Sequence, residues 1–260
     1  MNHTPAAPSL PEPGLRRVGM GRPWHWLRLG WNDLRRCPLP GLLHGAAMAA
    51  FGALLIVIAR DRFWLLAGAF SGFLLVAPLL ATGLYAVSRE LEQGRPASLR
   101  TAWAAWRPRD ARLVGFGLLL ALAGTGWVLT SASLITLFAA EPVSSPADFL
   151  RVVVLGTQDH LFAVWLALGG ALAAPVFASS VIAIPLLLDR RDTVLVAVLT
   201  SVRAVLLNPL PMALWATLIM ALTVLAMLGT ALLGLVVVLP WLAHASWHAY
   251  RDLVEPAGTA

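Results

Sequence analysis

Charged residues are scarce in this sequence. Aspartate, glutamate, lysine and arginine make up 12% of the 260 residues, whereas 59% of the residues are hydrophobic. An average soluble domain contains about 25% charged residues, and so small a charged fraction cannot cover the surface of a globular protein. The composition therefore disfavours a soluble enzyme, a nucleic-acid-binding module and a disordered chain, and it predicts a polytopic membrane protein.

Lysine is absent and cysteine occurs once. All 19 basic residues are arginine, and they outnumber the 13 acidic residues, which gives a net charge of +6. Arginines next to apolar segments typically mark the cytoplasmic ends of membrane helices, where they meet anionic lipid headgroups. We therefore expect the partner to be a bilayer with anionic headgroups and not nucleic acid. The single cysteine, Cys37, excludes an intrachain disulfide.

Long hydrophobic runs, in contrast, are abundant. One membrane crossing by a helix takes about 20 residues. Four apolar blocks have at least that length, and a fifth, from 211 to 250, is long enough for two helices if a turn falls near Gly229. The predicted membrane-spanning segments are 39–59, 63–88, 113–140, 161–188, 211–228 and 231–250.

Helix breakers dominate the N-terminal segment. Residues 1–23 are rich in proline and glycine and have no apolar stretch, which predicts a disordered cytoplasmic tail. The membrane domain is predicted to comprise residues 24–253, followed by a short tail at 254–260.

An amphipathic helix is predicted between the N-terminal tail and the first span. Apolar residues recur at helical spacing, with polar residues on the opposite face, so we expect this helix to lie in the membrane interface. The apolar stripe consists of Trp24, Leu27, Trp31 and Leu34, and the opposite face carries Arg28, Asn32 and Arg35.

Parts of the sequence repeat. Pro78 begins the sequence Pro-Leu-Leu-Ala, and Pro240 begins the sequence Pro-Trp-Leu-Ala. Each proline is followed eleven residues later by arginine and then by an acidic residue. The Pro-Leu-Pro sequence of residues 38–40 recurs at 209–211, and a fainter third copy begins at Ser98. We interpret these copies as three repeats of an interfacial helix plus a transmembrane hairpin. The predicted fold is therefore an all-α bundle of six spans.

The distribution of arginine predicts the orientation. With both termini in the cytoplasm, 16 of the 19 arginines flank the spans on the cytoplasmic side, as the positive-inside rule requires. We expect a multi-pass protein of the bacterial cytoplasmic membrane. The arginines left on the opposite side are Arg60, Arg62 and Arg151.

Three histidines are the candidate ligands for a metal or a haem. His244 and His248 are one turn apart on the last predicted span, and His44 enters the first span at a similar depth. Imidazole binds metals, but pairing with headgroups, Ser246 or backbone carbonyls is the favoured interpretation. No acidic residue falls inside a predicted span, so we expect no carboxylate in the bundle to orient an imidazole. No catalytic residue and no cofactor are predicted.

Four motifs together resemble those of a known family of bacterial membrane proteins. The motifs are Trp31-Asn32-Asp33-Leu34, Ser88-Arg89-Glu90-Leu91-Glu92-Gln93-Gly94, Leu199-Thr200-Ser201-Val202-Arg203-Ala204-Val205 with Asn208-Pro209, and His244-Ala245-Ser246-Trp247-His248-Ala249-Tyr250-Arg251. From about Trp24 to Leu253 the chain resembles the predicted integral membrane proteins with domain of unknown function 2189, whose members are sometimes labelled cytochrome c oxidase subunit I-like. The resemblance implies an integral membrane protein and gives no substrate.

Three functions are compatible with this sequence. The leading hypothesis is a non-enzymatic accessory or envelope-assembly component, which would contact another membrane protein or a second copy of itself. The alternative is a transporter or channel for an uncharged or small solute, because the spans lack the carboxylates that ion-coupled transporters use. The third is a haem- or metal-binding membrane protein related to respiratory oxidase function.

Overall fold

The described part of the chain is built from helices. The computed structural model describes residues 13–58, 81–106, 111–156 and 160–256. Within these ranges the only β pairing is an isolated bridge, so the all-α prediction is confirmed for them. The main helices are α1 (Arg22–Arg36), α2 (Pro38–Ile58), α3 (Thr82–Glu92), α4 (Leu99–Trp106), α5 (Ala111–Phe138), α6 (Leu161–Ser180), α7 (Ala183–Asp189), α8 (Val194–Leu207), α9 (Pro209–Leu228) and α10 (Leu235–Leu253). A short helical turn, Pro146–Asp148, and a π-helix, Phe149–Val154, lie between α5 and α6.

Four segments among the described residues are long and apolar enough to cross a membrane. They match the predicted spans 39–59, 113–140, 161–188 and 211–228. They are Pro38–Val57, Ala111–Phe138, Leu161–Asp189 and Pro209–Leu228. The predicted span 63–88 lies mostly outside the described residues, and α10 is not among the four because its second half is polar. Six spans therefore remain a prediction.

The segment 211–250 forms two helices. Helix α9 ends at Leu228 and α10 begins at Leu235, so the turn predicted near Gly229 is confirmed. The intervening residues include Ala231 and Leu232, which both have positive φ angles. Such angles are uncommon in residues with a side chain and cannot continue a right-handed helix.

Helix order follows the predicted repeat unit only in part. A short helix precedes a long one at α1–α2, at α4–α5 and at α8–α9. In the first and third cases a single residue, Cys37 or Asn208, separates the two helices, and a proline opens the long one. The superposition of residues 39–88 on 211–250 depends on Pro78, which lies outside the described residues, so the threefold repeat remains a prediction.

Proline interrupts the longest of the four apolar segments. Helix α6 ends at Ser180 and α7 begins at Ala183. Pro185 has no N–H with which to bond the carbonyl four residues earlier, which places the break at 181–182. The N–H of Ile182 instead donates to the hydroxyl of Ser201 at 3.0 Å, so a serine from α8 satisfies a buried backbone group.

The second half of α10 lies at the centre of the packing. From Leu242 to Tyr250 every residue except His248 is buried. Helices α1, α2, α3, α7 and α9 all pack against α10. Because these helices surround it, its polar side chains must find their hydrogen-bond partners on the neighbouring helices.

Helices α2 and α10 approach each other through glycine. A Cβ added at Gly45 would overlap the carbonyl oxygen of Val236, and one added at Gly41 would lie 3.1 Å from Cβ of Pro240. Pro240 lacks the N–H that would bond that same Val236 carbonyl in a regular helix. Gly41 and Gly45 therefore allow the two helices to approach closely, and Gly45 lies against a carbonyl that proline leaves free.

Helix α1 packs into the bundle with a different face from the one predicted. Trp24 and Trp31 of the predicted apolar stripe are exposed, and the helix packs where a Cβ at Gly30 would lie 2.5 Å from the backbone nitrogen of Ala245. The buried side chains find partners in the protein, which an isolated interfacial helix cannot offer. The buried face consists of Pro23, Trp26, Leu27, Gly30, Asp33 and Leu34.

Part of the predicted disordered tail is held in place. Leu15 forms an antiparallel bridge with Val254, the N–H of Arg16 donates to the Leu253 carbonyl at 2.9 Å, and the N–H of Glu255 donates to the Gly14 carbonyl at 2.9 Å. The prediction of disorder for 1–23 is therefore wrong for residues 13–23, because the proline- and glycine-rich segment finds backbone partners beside the end of α10. Residues 1–12 lie outside the described residues.

We expect Gly45→Ala to destabilise the protein by about 1–3 kcal/mol, the usual cost of overpacking a tight contact. The matched control is Gly126→Ala, because a Cβ at Gly126 meets nothing within 4 Å and alanine favours helix. The measurement is the free energy of unfolding in mixed micelles. Equal stability of the two variants would contradict the close α2–α10 contact.

Candidate functional site

Four polar side chains from three helices meet at one end of the bundle. Asp33 comes from α1, Ser88 from α3, and His244 and His248 from α10. Ser88 and His244 are fully buried, and Asp33 is 6% exposed. We call these four residues the polar cluster. Each belongs to one of the motifs quoted above, so segments far apart in sequence converge here.

Hydrogen bonds connect the polar cluster into one chain. The Ser88 hydroxyl donates to Oδ2 of Asp33 at 2.8 Å, and Nε2 of His248 lies 2.8 Å from the same oxygen. Oγ of Ser88 also lies 2.8 Å from Nδ1 of His244. The order of the chain is therefore His248, Asp33, Ser88, His244.

The chemistry of the groups determines which atom donates and which accepts each hydrogen bond in the polar cluster. An ionised carboxylate only accepts hydrogen bonds, so the single hydroxyl proton of Ser88 goes to Asp33. His244 must then donate from Nδ1 to Ser88, which makes its neutral form the Nδ1–H tautomer and leaves the lone pair on Nε2. That Nε2 atom is buried and has no hydrogen-bond partner among the described residues.

Asp33 is the residue that sequence reasoning missed. We expected no carboxylate in the bundle to orient an imidazole, and this expectation is wrong because α1 turns Asp33 inward. The available signal was helical spacing: Asp33 follows Gly30 by three residues and Trp26 by seven, which places all three on one face. We did not expect Asp33 on the buried face of α1, because acidic residues are rarely buried without partners.

The three candidate histidines are not arranged as predicted for an interfacial belt. His44 and His244 are buried, and His248 binds Asp33. The described residues contain no group of three or more histidine, cysteine or acidic side chains that could hold a metal ion. What the structure brings together is His244 and His248 with an aspartate and a serine, joined by hydrogen bonds that leave only Nε2 of His244 buried without a partner among the described residues.

The composition of the polar cluster matches that of a hydrolase triad, but its connectivity does not. In a triad the histidine lies between the serine and the aspartate and takes the proton of the serine. Here Ser88 lies between Asp33 and His244 and donates to Asp33. Because Ser88 is also fully buried, this arrangement holds helices together and does not activate a nucleophile.

A second carboxylate fastens α1 to α10. Nε and Nη2 of Arg22 donate to the two oxygens of Asp252 at 2.6 and 2.7 Å, and the indole N–H of Trp26 donates to Oδ2 of Asp252 at 2.8 Å. A bidentate arginine–carboxylate pair with a further donor is a strong, directional contact. It supports the polar cluster from the adjacent turn of α10.

Glu92 fastens α3 to α10 in the same way. Arg251 donates to Oε1 of Glu92 at 3.0 Å, and the indole N–H of Trp247 donates to Oε2 at 3.1 Å. Arg95 binds Glu90 on the surface of the same segment, and this hydrogen bond lowers the pKa of Glu90. The acidic residues after Ser88 therefore serve helix contacts and a local turn.

Asn208 brings the remaining motif to this end of the bundle. Its Oδ1 accepts from the N–H of Val18 at 2.8 Å, and its Nδ2 donates to the carbonyls of Arg16 at 3.0 Å and Ala204 at 3.1 Å. One side chain thus closes the end of α8 and holds the N-terminal segment. All four motifs therefore contribute polar contacts at this end of the bundle.

Comparison with known proteins finds a family match for part of the chain. No curated protein and no solved structure matches the chain. Of the polar cluster, only Ser88 lies inside the segment that matches this family, and Asp33, His244 and His248 lie outside it. Residues 65–189 match the family described as Predicted integral membrane protein (DUF2189), which confirms the resemblance drawn from the sequence motifs.

Proposed function

We propose that this integral membrane protein is a non-enzymatic accessory or envelope-assembly component of the bacterial cytoplasmic membrane. One observation carries the proposal: the long helices present leucine outward, whereas the charged and histidine side chains of α1, α3 and α10 bond to one another inside the bundle. On α5 the exposed side chains include Leu118, Leu122, Leu129 and Leu137. Such a surface suits lipid or another membrane protein.

The packing supports six crossings with both termini on one side. The bridge between Leu15 and Val254 places the two described ends of the chain together, which requires an even number of crossings. Ser88 and Gly41 both lie next to His244, whereas Ile58 ends α2 about 25 Å further along its axis. This geometry supports the predicted span 63–88.

The outer face of α1 supports contact with anionic lipid headgroups. Trp24, Arg28, Trp31 and Arg35 are all exposed, and their spacing of four, three and four residues places them on one stripe. Tryptophan and arginine are the side chains enriched where a protein meets the headgroup region. This stripe carries no acidic residue, so it is complementary in charge to an anionic bilayer surface.

A transporter or channel is the second candidate, and Asp33 is the observation that favours it. The sequence offered no carboxylate inside the bundle, whereas the structure buries Asp33 next to two imidazoles. Buried carboxylates and histidines that bond to one another are typical of proton-coupled transport proteins. The Asp33 carboxylate therefore supplies the kind of group that the sequence lacked.

Photocrosslinking distinguishes the accessory component from the transporter. A photoreactive phenylalanine derivative at Leu122 on α5, exposed by 68%, should give a discrete adduct with one membrane protein in living cells, and the unmodified chain should compete for it. The same group at the fully buried Leu186 is the control. Substrate-dependent solute flux in proteoliposomes, without such an adduct, would replace this proposal by the transporter.

Topology is tested by labelling single cysteines in the Cys37→Ser background. Cys37 is replaced because its own thiol would add background labelling. Burial raises the pKa of this thiol, so the background reaction would be slow and difficult to separate from weak labelling of the introduced cysteine. We expect Ser144→Cys to react with an impermeant maleimide added from the periplasm, and Arg95→Cys and Ala260→Cys to react only after the membrane is opened. Periplasmic labelling of Ala260→Cys would contradict cytoplasmic termini.

The lipid contact is tested by comparing two exposed arginines. We expect Arg28→Gln to lower the retention of phosphatidylglycerol in native mass spectrometry about fivefold, because one arginine near an anionic surface contributes about 1 kcal/mol. Arg151→Gln removes an arginine that binds Glu141 at 2.7 Å and should leave retention unchanged. Equal retention by the native protein and Arg28→Gln would contradict a headgroup site on α1.

A further inference from the structure

Two carboxylates join α1 and α10, and their cationic partners differ in kind. Asp252 on α10 binds Arg22 on α1 through two hydrogen bonds. Asp33 on α1 binds His248 on α10. Arginine keeps its charge at every physiological pH, whereas histidine gains and loses its charge near neutrality. One of the two contacts is thus permanently charged on both sides and the other is not.

The described ion pairs give Asp33 one partner, His248. Oδ2 of Asp33 lies 2.8 Å from Nε2 of His248, with side-chain exposures of 8% and 13%. The carboxylate is therefore almost fully withdrawn from water, while the imidazole still reaches the edge of the bundle. His248 is therefore the most exposed member of the polar cluster.

We propose that Asp33 and His248 form a proton-binding site, in which one hydrogen ion taken from the aqueous phase converts His248 into an imidazolium paired with the Asp33 carboxylate. The balance is one proton bound at Nδ1 of His248, while Nε2–H continues to donate to Oδ2 of Asp33. The polar cluster then changes from one net negative charge to zero. No other group has to gain or lose a proton.

The groups around the site are consistent with a single bound proton. Helix α1 contributes Asp33 and the more distant His25, which interacts electrostatically with His248. It also contributes Arg22, whose charge is paired with that of Asp252, one turn along α10 from His248. Helix α2 contributes His44 and α10 contributes His244, which interact with each other, and α3 contributes the hydroxyl of Ser88. His244 is fully buried and its contact is the neutral hydroxyl of Ser88, whereas His248 contacts the carboxylate of Asp33, so the bound proton is expected on His248.

Proton binding would regulate how firmly α1 is held. A hydrogen bond between an imidazolium and a carboxylate is roughly twice as strong as one between neutral groups. With the proton bound, α1 is fastened to α10 by two ion pairs, at Asp252 and at Asp33. At higher pH only the Asp252 pair remains, and the Asp33 carboxylate is left buried with neutral donors.

Nitrogen NMR of the whole chain in lipid nanodiscs, with ¹⁵N-labelled histidine, tests the site directly. His248, assigned by the loss of its signals in His248→Gln, should titrate between the imidazolium and neutral forms. In Asp33→Asn its proton affinity should fall tenfold or more, since a carboxylate in contact changes that of a partner by about that factor. His244 should show the Nδ1–H tautomer throughout.

Asp252→Asn is the matched control, because it also breaks an α1–α10 ion pair and lies outside the polar cluster. Because Asp252 lies one turn from His248 on α10 and is paired with Arg22, we expect its loss to lower the proton affinity of His248 much less than Asp33→Asn does. An unchanged titration in Asp33→Asn, or an equal loss of affinity in Asp252→Asn, would overturn the proposal. So would a His248 that stays neutral down to pH 5 in the native protein.

Ser88→Ala keeps the proposal testable if Asp33→Asn fails to fold. This variant removes the link to His244 and leaves the contact between Asp33 and His248. We expect the titration of His248 to persist, while His244 loses its fixed tautomer and becomes a mixture of the two neutral forms. Loss of the His248 titration in Ser88→Ala would show that the proton belongs elsewhere.

Discussion

The burial of the polar half of α10 is the constraint on which the rest of the structure depends. A polar group withdrawn from water without a partner costs about 1–3 kcal/mol, and more if it is charged. Between Leu242 and Leu253 this helix carries two histidines, an indole N–H, a phenol and two ionic residues. Five other helices pack around this segment, so they have to bring carboxylates, hydroxyls and carbonyls to it.

This constraint explains why the neighbouring helices have their particular residues. Helix α1 brings Asp33 and Arg22, α3 brings Ser88 and Glu92, and α7 brings Asp189, which accepts from the phenol of Tyr250 at 2.7 Å. The small residues serve the same contacts, because each hydrogen bond of about 2.8 Å requires the helix backbones to come close. Glycine in α1 and α2 provides that approach to α10.

Much of the fold could be predicted from the sequence because it depends on local patterns. Apolar length located four segments able to cross a membrane, and the turn near Gly229 separated α9 from α10. The buried position of Asp33 could not be predicted, because the same spacing suits an interfacial helix and a helix packed in the bundle. The difference lies in the partners, Ser88 and His248, which are 55 and 215 residues away.

The convergence of the motifs also clarifies what the chain does chemically. A polar cluster composed of serine, histidine and aspartate suggests catalysis if only its composition is considered, but Ser88 donates to Asp33 and has no access to solvent. The hydrogen bonds are directed inward, and the surface offered to the surroundings is leucine, tryptophan and arginine. The polar cluster therefore holds helices α1, α3 and α10 together.

The most direct test of this account is a double-mutant cycle between Asp33→Asn and Ser88→Ala, with unfolding free energies measured in mixed micelles. If the polar cluster couples α1 to α3, the two changes should interact by about 0.5–3 kcal/mol, as residues in one hydrogen-bonded network do. Asp33→Asn combined with Ser144→Ala, at a distant and exposed position, should be additive. Additive effects in both cycles would contradict the central role of the polar cluster.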